Sequence, residues 1–224
     1  MDKTESMKRN INPMIYEKTR DGEALYDIYS RLLKDRIVYL AEAIDADVAS
    51  TISATLLWLN SQNNSKEISL YINSPGGEVH AGLFTIYDTM NYIEAPIKTV
   101  CVGEAYSAAA LILSAGNKGS RRAFPNSYIM IHEMQIGGLS GPGSEIQREA
   151  ERIRVWNEKI AVLLARHCEQ PIEVIKESFA HDRYFTAEEA KEFGLIDKIV
   201  EPKKDIPELI KQPSTKARRR KAIK

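Results

Sequence analysis

A chain of 224 residues with 43% hydrophobic and 28% charged residues has the composition of a globular protein and is long enough for one domain with a substantial core. Its 31 basic and 31 acidic side chains cancel, so the charge gives no bias toward nucleic acid or a membrane surface. No apolar run approaches the length of a membrane span, and the polar opening lacks a signal-peptide core, so we expect an intracellular, cytoplasmic protein.

The two cysteines agree with this expectation. Cys101 falls in a predicted buried strand and Cys168 near the end of a predicted helix, and neither has a cluster of ligating residues around it. We therefore expect no disulfide and no metal site.

The N-terminal half alternates helices and strands after a polar start. Residues 1–20 are polar and irregular and precede the turn signal Asp21-Gly22, which predicts a flexible arm. Apolar residues at helical spacing then predict a helix from Glu23 to Arg36. The elements that follow are a strand at 37–40, a helix from the cap Asp45 to about residue 60, a strand at 67–73, a helix at 82–92 and a strand at 97–102. Helices between successive strands indicate an α/β fold with a parallel sheet and crossover helices.

The C-terminal half contains a glycine-rich segment followed by a long helix. The predicted elements are, in order, a strand at 127–131, a flexible or extended segment at 135–143, a helix from Ser144 to about Cys168, a shorter helix from Pro171, a link at 181–184, a helix that ends near Gly194 and a strand at 198–200. Thr186 and Glu189 make a capping box for the last of these helices. The polar, basic residues 202–224 predict a disordered tail.

The segment 97–119 holds a candidate nucleophile. An apolar strand ends near Val102, residues 103–107 (GEAYS) form a tight turn, and an apolar helix begins at Ala108. A serine at such a corner raises its hydroxyl beside the N–H groups that a helix start leaves unpaired, as a nucleophile requires. The alternative is that Ser107 only caps the helix, because serine is a preferred N-cap residue.

Two further features stand where predicted strands end, which is where an open α/β sheet places its chemistry. Gly76 and Gly77 let the backbone turn its N–H groups toward a ligand, and a simple tight turn is the alternative. His132 follows an apolar strand directly and is the candidate general base, with a structural histidine as the alternative. The other histidines lie in predicted helix or link segments and are less suited: His80, His167 and His181.

Asp182 is the candidate carboxylate that orients the imidazole. Its alternative role is that of a helix-flanking residue paired with Arg183. Serine, histidine and aspartate together supply a nucleophile, a general base and a group that fixes the histidine tautomer. Two backbone N–H groups would stabilise the oxyanion that forms when the serine attacks a carbonyl.

Six segments along the chain make the sequence recognisable: YDIYSRLLKDRIVYL (26–40), YINSPGGEVHAG (71–82), IYDTM (86–90), GEAYSAAA (103–110), FPNSYIMIH (124–132) and DRYFTAEEAKEFGLID (182–197). Over the span from about Pro13 to Glu201, the chain resembles the ClpP family of ATPase-dependent serine peptidases. The resemblance implies a crotonase-like α/β fold with an added handle of a strand and a helix. It also implies two stacked seven-membered rings, whose chamber holds the active sites and whose narrow axial pores admit only unfolded polypeptide.

The resemblance gives each candidate residue a role. Ser107 corresponds to the nucleophile, His132 to the general base and Asp182 to the orienting acid. The N–H groups of Gly77 and Ala108 correspond to the oxyanion hole. An extended substrate is expected to pair with strand edges through main-chain hydrogen bonds. The residues expected to bind it are Gly76, Gly77, Tyr106, Gly137 and Gly138.

The resemblance also implies how the chain is divided into segments and which partners it has. Residues 1–20 correspond to pore loops that contact the ATPase, residues 21–201 to the peptidase domain with its handle at about 134–168, and residues 202–224 follow as the basic tail. The expected partners are unfolded polypeptides, a Clp-type AAA+ unfoldase and further copies of the chain in a tetradecamer. No metal or organic cofactor is expected. Because the chain has no GxxxxGK[ST] phosphate-binding loop, the separate unfoldase would hydrolyse the ATP.

Four departures from the usual pattern mark a divergent member of that family. Tyr106 stands where the family has a small residue, Ala108-Ala109 replaces Met-Gly, and Glu133-Met134 replaces Gln-Pro. The segment between Gly77 and Ile86 is one residue longer. We expect the tyrosine and the extra residue to reshape the pocket for the substrate residue before the cut.

Two other functions fit parts of this pattern. A non-catalytic or modulating ring subunit of a mixed Clp complex would usually have lost a triad residue, and all three are present here. An acyl-CoA-processing enzyme shares the fold, and two N–H donors can stabilise an enolate. That function leaves the serine, histidine and aspartate unexplained.

Overall fold

The computed structural model describes residues 13–19, 22–135, 137–138 and 140–201. The predicted tail at 202–224 and residues 1–12 of the predicted arm lie outside these ranges. Within them, the chain forms a seven-stranded sheet with helices packed on it and a separate two-stranded hairpin at the start. The predicted α/β class, with a mostly parallel sheet and crossover helices, is confirmed.

The hairpin replaces part of the irregular arm and part of the first helix that the sequence predicts. β1 (Met14–Thr19) pairs antiparallel with β2 (Gly22–Asp27). The predictions of an irregular segment to residue 20 and of a helix from Glu23 are therefore wrong for the residues of these strands. The helix α1 covers Ile28–Lys34 only. It begins there because the Asp27 carboxylate accepts hydrogen bonds from two N–H groups of the first turn.

The strands of the main sheet are β3 (Ile37–Leu40), β4 (Ile68–Ser74), β5 (Ile97–Tyr106), β6 (Arg122–Ala123), β7 (Tyr128–Ile131), β8 (Arg183–Thr186) and β9 (Lys198–Ile199). Five of them run parallel in the order β3-β4-β5-β6-β9. β7 is parallel to the end of β5, and β8 is antiparallel to β7. Buried aliphatic residues fill β4 and the first half of β5, as expected for a parallel sheet covered by helices.

The helices are α2 (Ala46–Gln62), a π-helix (Val79–Phe84) that continues into α3 (Thr85–Tyr92), α4 (Ala108–Ser114), α5 (Gly143–Cys168), α6 (Ile172–Phe179) and α7 (Ala187–Phe193). The predicted caps are confirmed. The Asp45 carboxylate accepts a hydrogen bond from a first-turn N–H at 2.8 Å, and Thr186 and Glu189 form the capping box. The helix that was predicted from Gly82 begins three residues earlier, as the π-helix.

The sequence predicts that β5 ends at Val102. In the structure β5 continues to Tyr106. Gly103, with a φ of 86°, bends the strand where its pairing with β4 is irregular. This φ favours glycine, and a Cβ here would also lie 2.7 Å from Asn73 Oδ1. The bend lets the first half of β5 pair with β6 and the second half with β7, which directs the end of the strand toward β7.

The long helix α5 is packed only along its second half. The buried residues of α5 are Ile160, Ala161, Leu164 and Cys168. Its first half carries exposed apolar side chains at Ile146 and Val155. The predicted handle thus contains a helix with no buried residue in its first half. Neither α5 nor any other helix in these ranges is long and apolar enough to cross a membrane.

Cys101 and Cys168 are buried free thiols. Burial raises the pKa of each thiol to about 12, so both are protonated at neutral pH and are poor nucleophiles. The part of the chain that the structure describes contains no group of three or more potential metal-ligating side chains.

Candidate active site

Ser107 occupies a strained corner between β5 and α4. Its φ of 55° and ψ of −120° lie outside the regions that non-glycine residues favour. The Ser107 N–H holds the corner by donating to the carbonyl of Met130 on β7 at 2.8 Å. The side chain makes no cap bond to α4, and its Oγ lies 2.9 Å from His132 Nε2. The alternative in which Ser107 is only a helix cap is therefore wrong.

β7 and β8 bring His132 and Asp182 together. The two strands are antiparallel with Ile131 opposite Arg183, so the residue after Ile131 lies beside the residue before Arg183. His132 Nδ1 is 2.9 Å from Asp182 Oδ1. The predicted link at 181–184 is thus a strand from Arg183 onward, and the pairing of this strand positions the carboxylate.

Arg183 is directed away from Asp182. Its guanidinium lies over the rings of Phe185 and Phe193, 4.8 and 4.9 Å from their centroids. Its Nη1 also donates a hydrogen bond to Ser178 Oγ. The alternative in which Asp182 serves as the ion-pair partner of Arg183 is therefore wrong.

The hydrogen bonds fix the tautomer of His132. A carboxylate only accepts, so Nδ1 carries the proton that is shared with Asp182, and Nε2 presents a lone pair to the Ser107 hydroxyl. The His132 side chain is 14% exposed and that of Asp182 is 47% exposed. The imidazole is thus shielded while the carboxylate is open to water. An imidazole in this state can take the serine proton and return it.

The loop after β4 carries the candidate oxyanion donor Gly77. Ile44 pairs with this loop: its N–H donates to the Gly76 carbonyl at 2.8 Å, and its carbonyl accepts from the Glu78 N–H at 2.7 Å. These bonds leave the N–H of Gly77 out of the ladder. The N–H of Ala108 is the first of α4, one of the groups that a helix start leaves unpaired. Both N–H groups are thus available as donors.

Close backbone contacts require glycine at both positions of this loop. A Cβ on Gly77 would lie 2.1 Å from the Ile44 carbonyl oxygen. Gly76 has a φ of 92°, and a Cβ there would lie 2.7 Å from the Cβ of Ser107. The loop is therefore more than an ordinary tight turn, because its backbone touches the residue that carries the hydroxyl.

An apolar cavity opens beside the Ser107 hydroxyl. It is small, with room for about 20 Å³, and lies among the π-helix, α4 and α5. Its walls include the apolar side chains of Val79, Leu83, Leu111, Ile160 and Leu164. Space of this size holds about one water molecule, so a side chain would enter only if the walls moved apart, and the apolar lining favours an apolar side chain over a charged one.

A second, open groove meets this cavity at Ser107 and His132. The π-helix lies in the walls of both. The Leu83 N–H donates to the Glu78 carbonyl at 2.8 Å, a bond that spans five residues where an α-helix spans four. The chain is therefore wound more widely at the site than in an α-helix, while the extra residue relative to the family stays a prediction.

Four of the five residues expected to bind substrate line neither the cavity nor the groove: Gly76, Tyr106, Gly137 and Gly138. The Tyr106 ring packs edge-on against Tyr184, with 5.7 Å between the centroids, and lines neither. Gly137 and Gly138 are exposed, and no heavy atom of the described residues lies within 4 Å of a Cβ built on either. Tyr106 therefore does not narrow the cavity beside Ser107. Substrate contacts at the two glycines stay a prediction.

Two of the remaining histidines have other surroundings. His167 is partly buried, and its Nε2 lies 2.9 Å from the Tyr87 hydroxyl. Burial, reinforced by the charges of Arg121 and Arg166, lowers the pKa of His167 to about 4, so it is neutral at pH 7. His80 lies along the open groove.

The contact made by Gln135 was not predicted from the sequence. Its Nε2 lies 3.2 Å from His132 Nδ1 and 3.5 Å from Asp182 Oδ1. In the sequence, Gln135 is marked only by its position three residues after His132, and such a spacing does not by itself predict a contact with the imidazole. The pairing of Ile44 with the Gly76-Gly77 loop was not predicted either, because pairing through the main chain leaves no signature in the side chain.

Residues 5–203 match the sequence model of the Clp protease family. The matched region includes the whole main sheet, the long helix α5, and Ser107, His132 and Asp182. The mixed α/β architecture with its mostly parallel sheet agrees with that match. The chain belongs to the Clp protease family.

Proposed function

We propose that this chain is a serine endopeptidase in which Ser107, His132 and Asp182 carry the reaction. The observation that supports the proposal most strongly is the unbroken hydrogen-bond chain through the imidazole, with 2.9 Å on each side. Family membership supports a ClpP-type peptidase. The strained backbone at Ser107 supports it further, because strain of this kind concentrates at functional sites.

Cleavage would proceed by acyl transfer. Ser107 Oγ attacks the peptide carbonyl while His132 Nε2 takes the hydroxyl proton. The N–H groups of Gly77 and Ala108 donate to the oxyanion. The imidazole then gives the proton to the leaving amine as the C–N bond breaks, and water attacks the resulting ester by the same route. Asp182 accepts the hydrogen bond from Nδ1–H throughout, so the imidazole keeps one orientation.

The substrates would be unfolded polypeptides, cleaved inside a chamber made of two stacked seven-membered rings. The exposed apolar residues Ile146 and Val155 support this assembly, because the first half of α5 needs a partner from another subunit. A Clp-type AAA+ ATPase would unfold and feed the substrate. In this proposal residues 1–20 contact the ATPase, the handle at 134–168 joins the rings, and the basic residues 202–224 form a tail.

A fluorophosphonate probe and a matched pair of substrates test the proposal. We expect the probe to modify Ser107, because an activated serine attacks the phosphorus as it would attack a carbonyl. We expect the assembled protein to cleave a short peptide alone and a folded protein only with an ATP-driven unfoldase. Labelling is read by peptide mass spectrometry and assembly by native mass. An unmodified Ser107 in the assembled protein would favour a modulating ring subunit instead.

The apolar cavity predicts a preference for an apolar residue before the scissile bond. We expect kcat/KM for a peptide with leucine at that position to exceed that of the aspartate peptide by about 100-fold or more, because a charge buried without a partner is costly. Val79→Glu should lower kcat/KM for the leucine peptide by about tenfold or more, since Val79 lines the cavity.

Ala81→Glu is the matched control for this prediction. Ala81 lies on the same π-helix and lines the open groove, but it is not among the residues that line the apolar cavity. We expect the Ala81 variant to keep the leucine preference. Equal losses in both variants would contradict the assignment of the cavity to this substrate residue.

A further inference from the structure

Gln135 contacts both members of the His132–Asp182 pair. Its Nε2 lies 3.2 Å from His132 Nδ1 and 3.5 Å from Asp182 Oδ1. Gln135 is exposed and lies on the open groove that meets Ser107. The contact therefore stands at the substrate side of the site, outside the core.

The charge of Asp182 and the tautomer of His132 decide which of the two groups accepts the hydrogen bond from Gln135. With its amide reversed, Gln135 would place an oxygen against the Asp182 carboxylate, which repels it, so the N–H₂ end faces Asp182. The Nδ1 of His132 already carries a proton that it donates to Asp182 Oδ1, so it has no lone pair for a second donor. The Gln135 amide therefore donates to the carboxylate, and two N–H groups converge on one oxygen.

Asp182 needs such a donor because little else holds it. Its side chain is 47% exposed, and its hydrogen-bond partners among the described residues are the imidazole and this amide. An exposed carboxylate can rotate toward water and release the imidazole. A second donor on the same oxygen limits that rotation.

The backbone before Gln135 is anchored on the long helix. The Met134 N–H donates to Asn157 Oδ1 on α5 at 2.8 Å. This bond fixes the chain where it leaves His132, so the Gln135 amide starts from a defined position. A side chain that must reach a carboxylate across three rotatable bonds loses less entropy when its backbone is held.

We propose that Gln135 is a positioning residue, whose amide holds the Asp182 carboxylate against the imidazole of His132. The proposal rests on the proposed peptidase function of the same site. Other ionisable groups surround the pair: Glu133 and His181 as chain neighbours, Arg183 turned toward Ser178, and Glu78 and His80 across the groove. None of them forms a hydrogen bond to Asp182 among the described residues, so the amide acts on the carboxylate without a competitor.

Two variants of similar length test the proposal. Gln135→Met removes the donor, and we expect kcat for a short peptide to fall about threefold to tenfold with KM unchanged. Gln135→Glu places a second carboxylate beside the imidazolium form of His132. We expect the acid limb of kcat/KM against pH to move up by about 0.5 to 1 pH unit in that variant. Gln62→Met, at the exposed C-terminal end of α2, is the control and should match the wild type.

The rate of fluorophosphonate labelling separates this proposal from the proposed function. A wild-type protein that is not labelled at Ser107 overturns both. Rapid labelling of the wild type with unchanged rates and unchanged pH profiles in both Gln135 variants overturns the positioning role alone. A fall in kcat without any movement of the pH limb in the Glu variant also counts against it, because a merely structural effect would give that result.

Discussion

Replacing Ser107 with alanine is expected to lower kcat for peptide cleavage by about 10⁶-fold while the fold and the assembly stay unchanged. The substitution removes the one atom that forms the bond to the substrate, whereas the oxyanion donors and the cavity are backbone and neighbouring side chains. Alanine and serine pay the same backbone strain at a φ of 55°, and the N–H bond to the Met130 carbonyl does not involve the side chain. The variant should therefore unfold at the temperature of the wild type.

The measurement is steady-state cleavage of a short peptide, with native mass and thermal unfolding beside it. Ser50→Ala is a suitable control, since Ser50 is exposed on α2 and its hydroxyl bonds only to a carbonyl of its own helix. We expect full activity in the control. Cleavage retained by the pure Ser107 variant would refute the assignment of the nucleophile, and dissociated rings would show that the side chain has a structural role.

Replacing Arg121 with methionine is expected to destabilise the fold by about 3 to 5 kcal/mol. The side chains of Arg121 and Asp197 are 2% and 11% exposed, and Nη2 lies 2.6 Å from Oδ1 while Nε lies 3.0 Å from Oδ2. Nη1 also donates to the carbonyls of Ser114 at 3.3 Å and His167 at 2.8 Å. One guanidinium thus joins the ends of α4 and α5 to the turn before β9. Methionine fills the space but leaves a buried carboxylate and two carbonyls without that donor.

Urea unfolding of the variant measures this loss, and Lys118→Met is the control. Lys118 forms an exposed ion pair with Glu169, 57% and 71% exposed, which contributes less than about 1 kcal/mol.

Burial pushes the pKa of Asp197 upward, but the hydrogen bonds and charge of Arg121 outweigh it and hold the pKa below its usual value. The stabilisation by the pair is then present above pH 4 and is lost as the pH falls through the lowered pKa. An unchanged urea midpoint in the Arg121 variant would contradict this account.

Local signals predicted the elements whose causes lie within one or two turns of chain. The Asp45 cap, the capping box at Thr186 and the apolar runs of β3 and β4 depend on near neighbours, and each was located within a few residues. Strand ends also predicted where Ser107 and His132 stand. Because parallel strands end at one edge of a sheet, the order of elements was enough to bring these two residues into one region.

The sequence by itself determined the fold class, the family and the identities of the serine, histidine and aspartate, because these follow from local pattern and from motifs in order. The tertiary structure decided what depends on partners distant in the chain. β8 was mistaken for a link because, among the described residues, it pairs with β7, about 50 residues away. Gly103 was mistaken for a strand end because the strand beyond it pairs with β7, more than 20 residues further on. The same reason hid the Gln135 contact: a hydrogen bond between groups 47 residues apart leaves no periodicity in the sequence, and only the folded chain brings its two ends within reach.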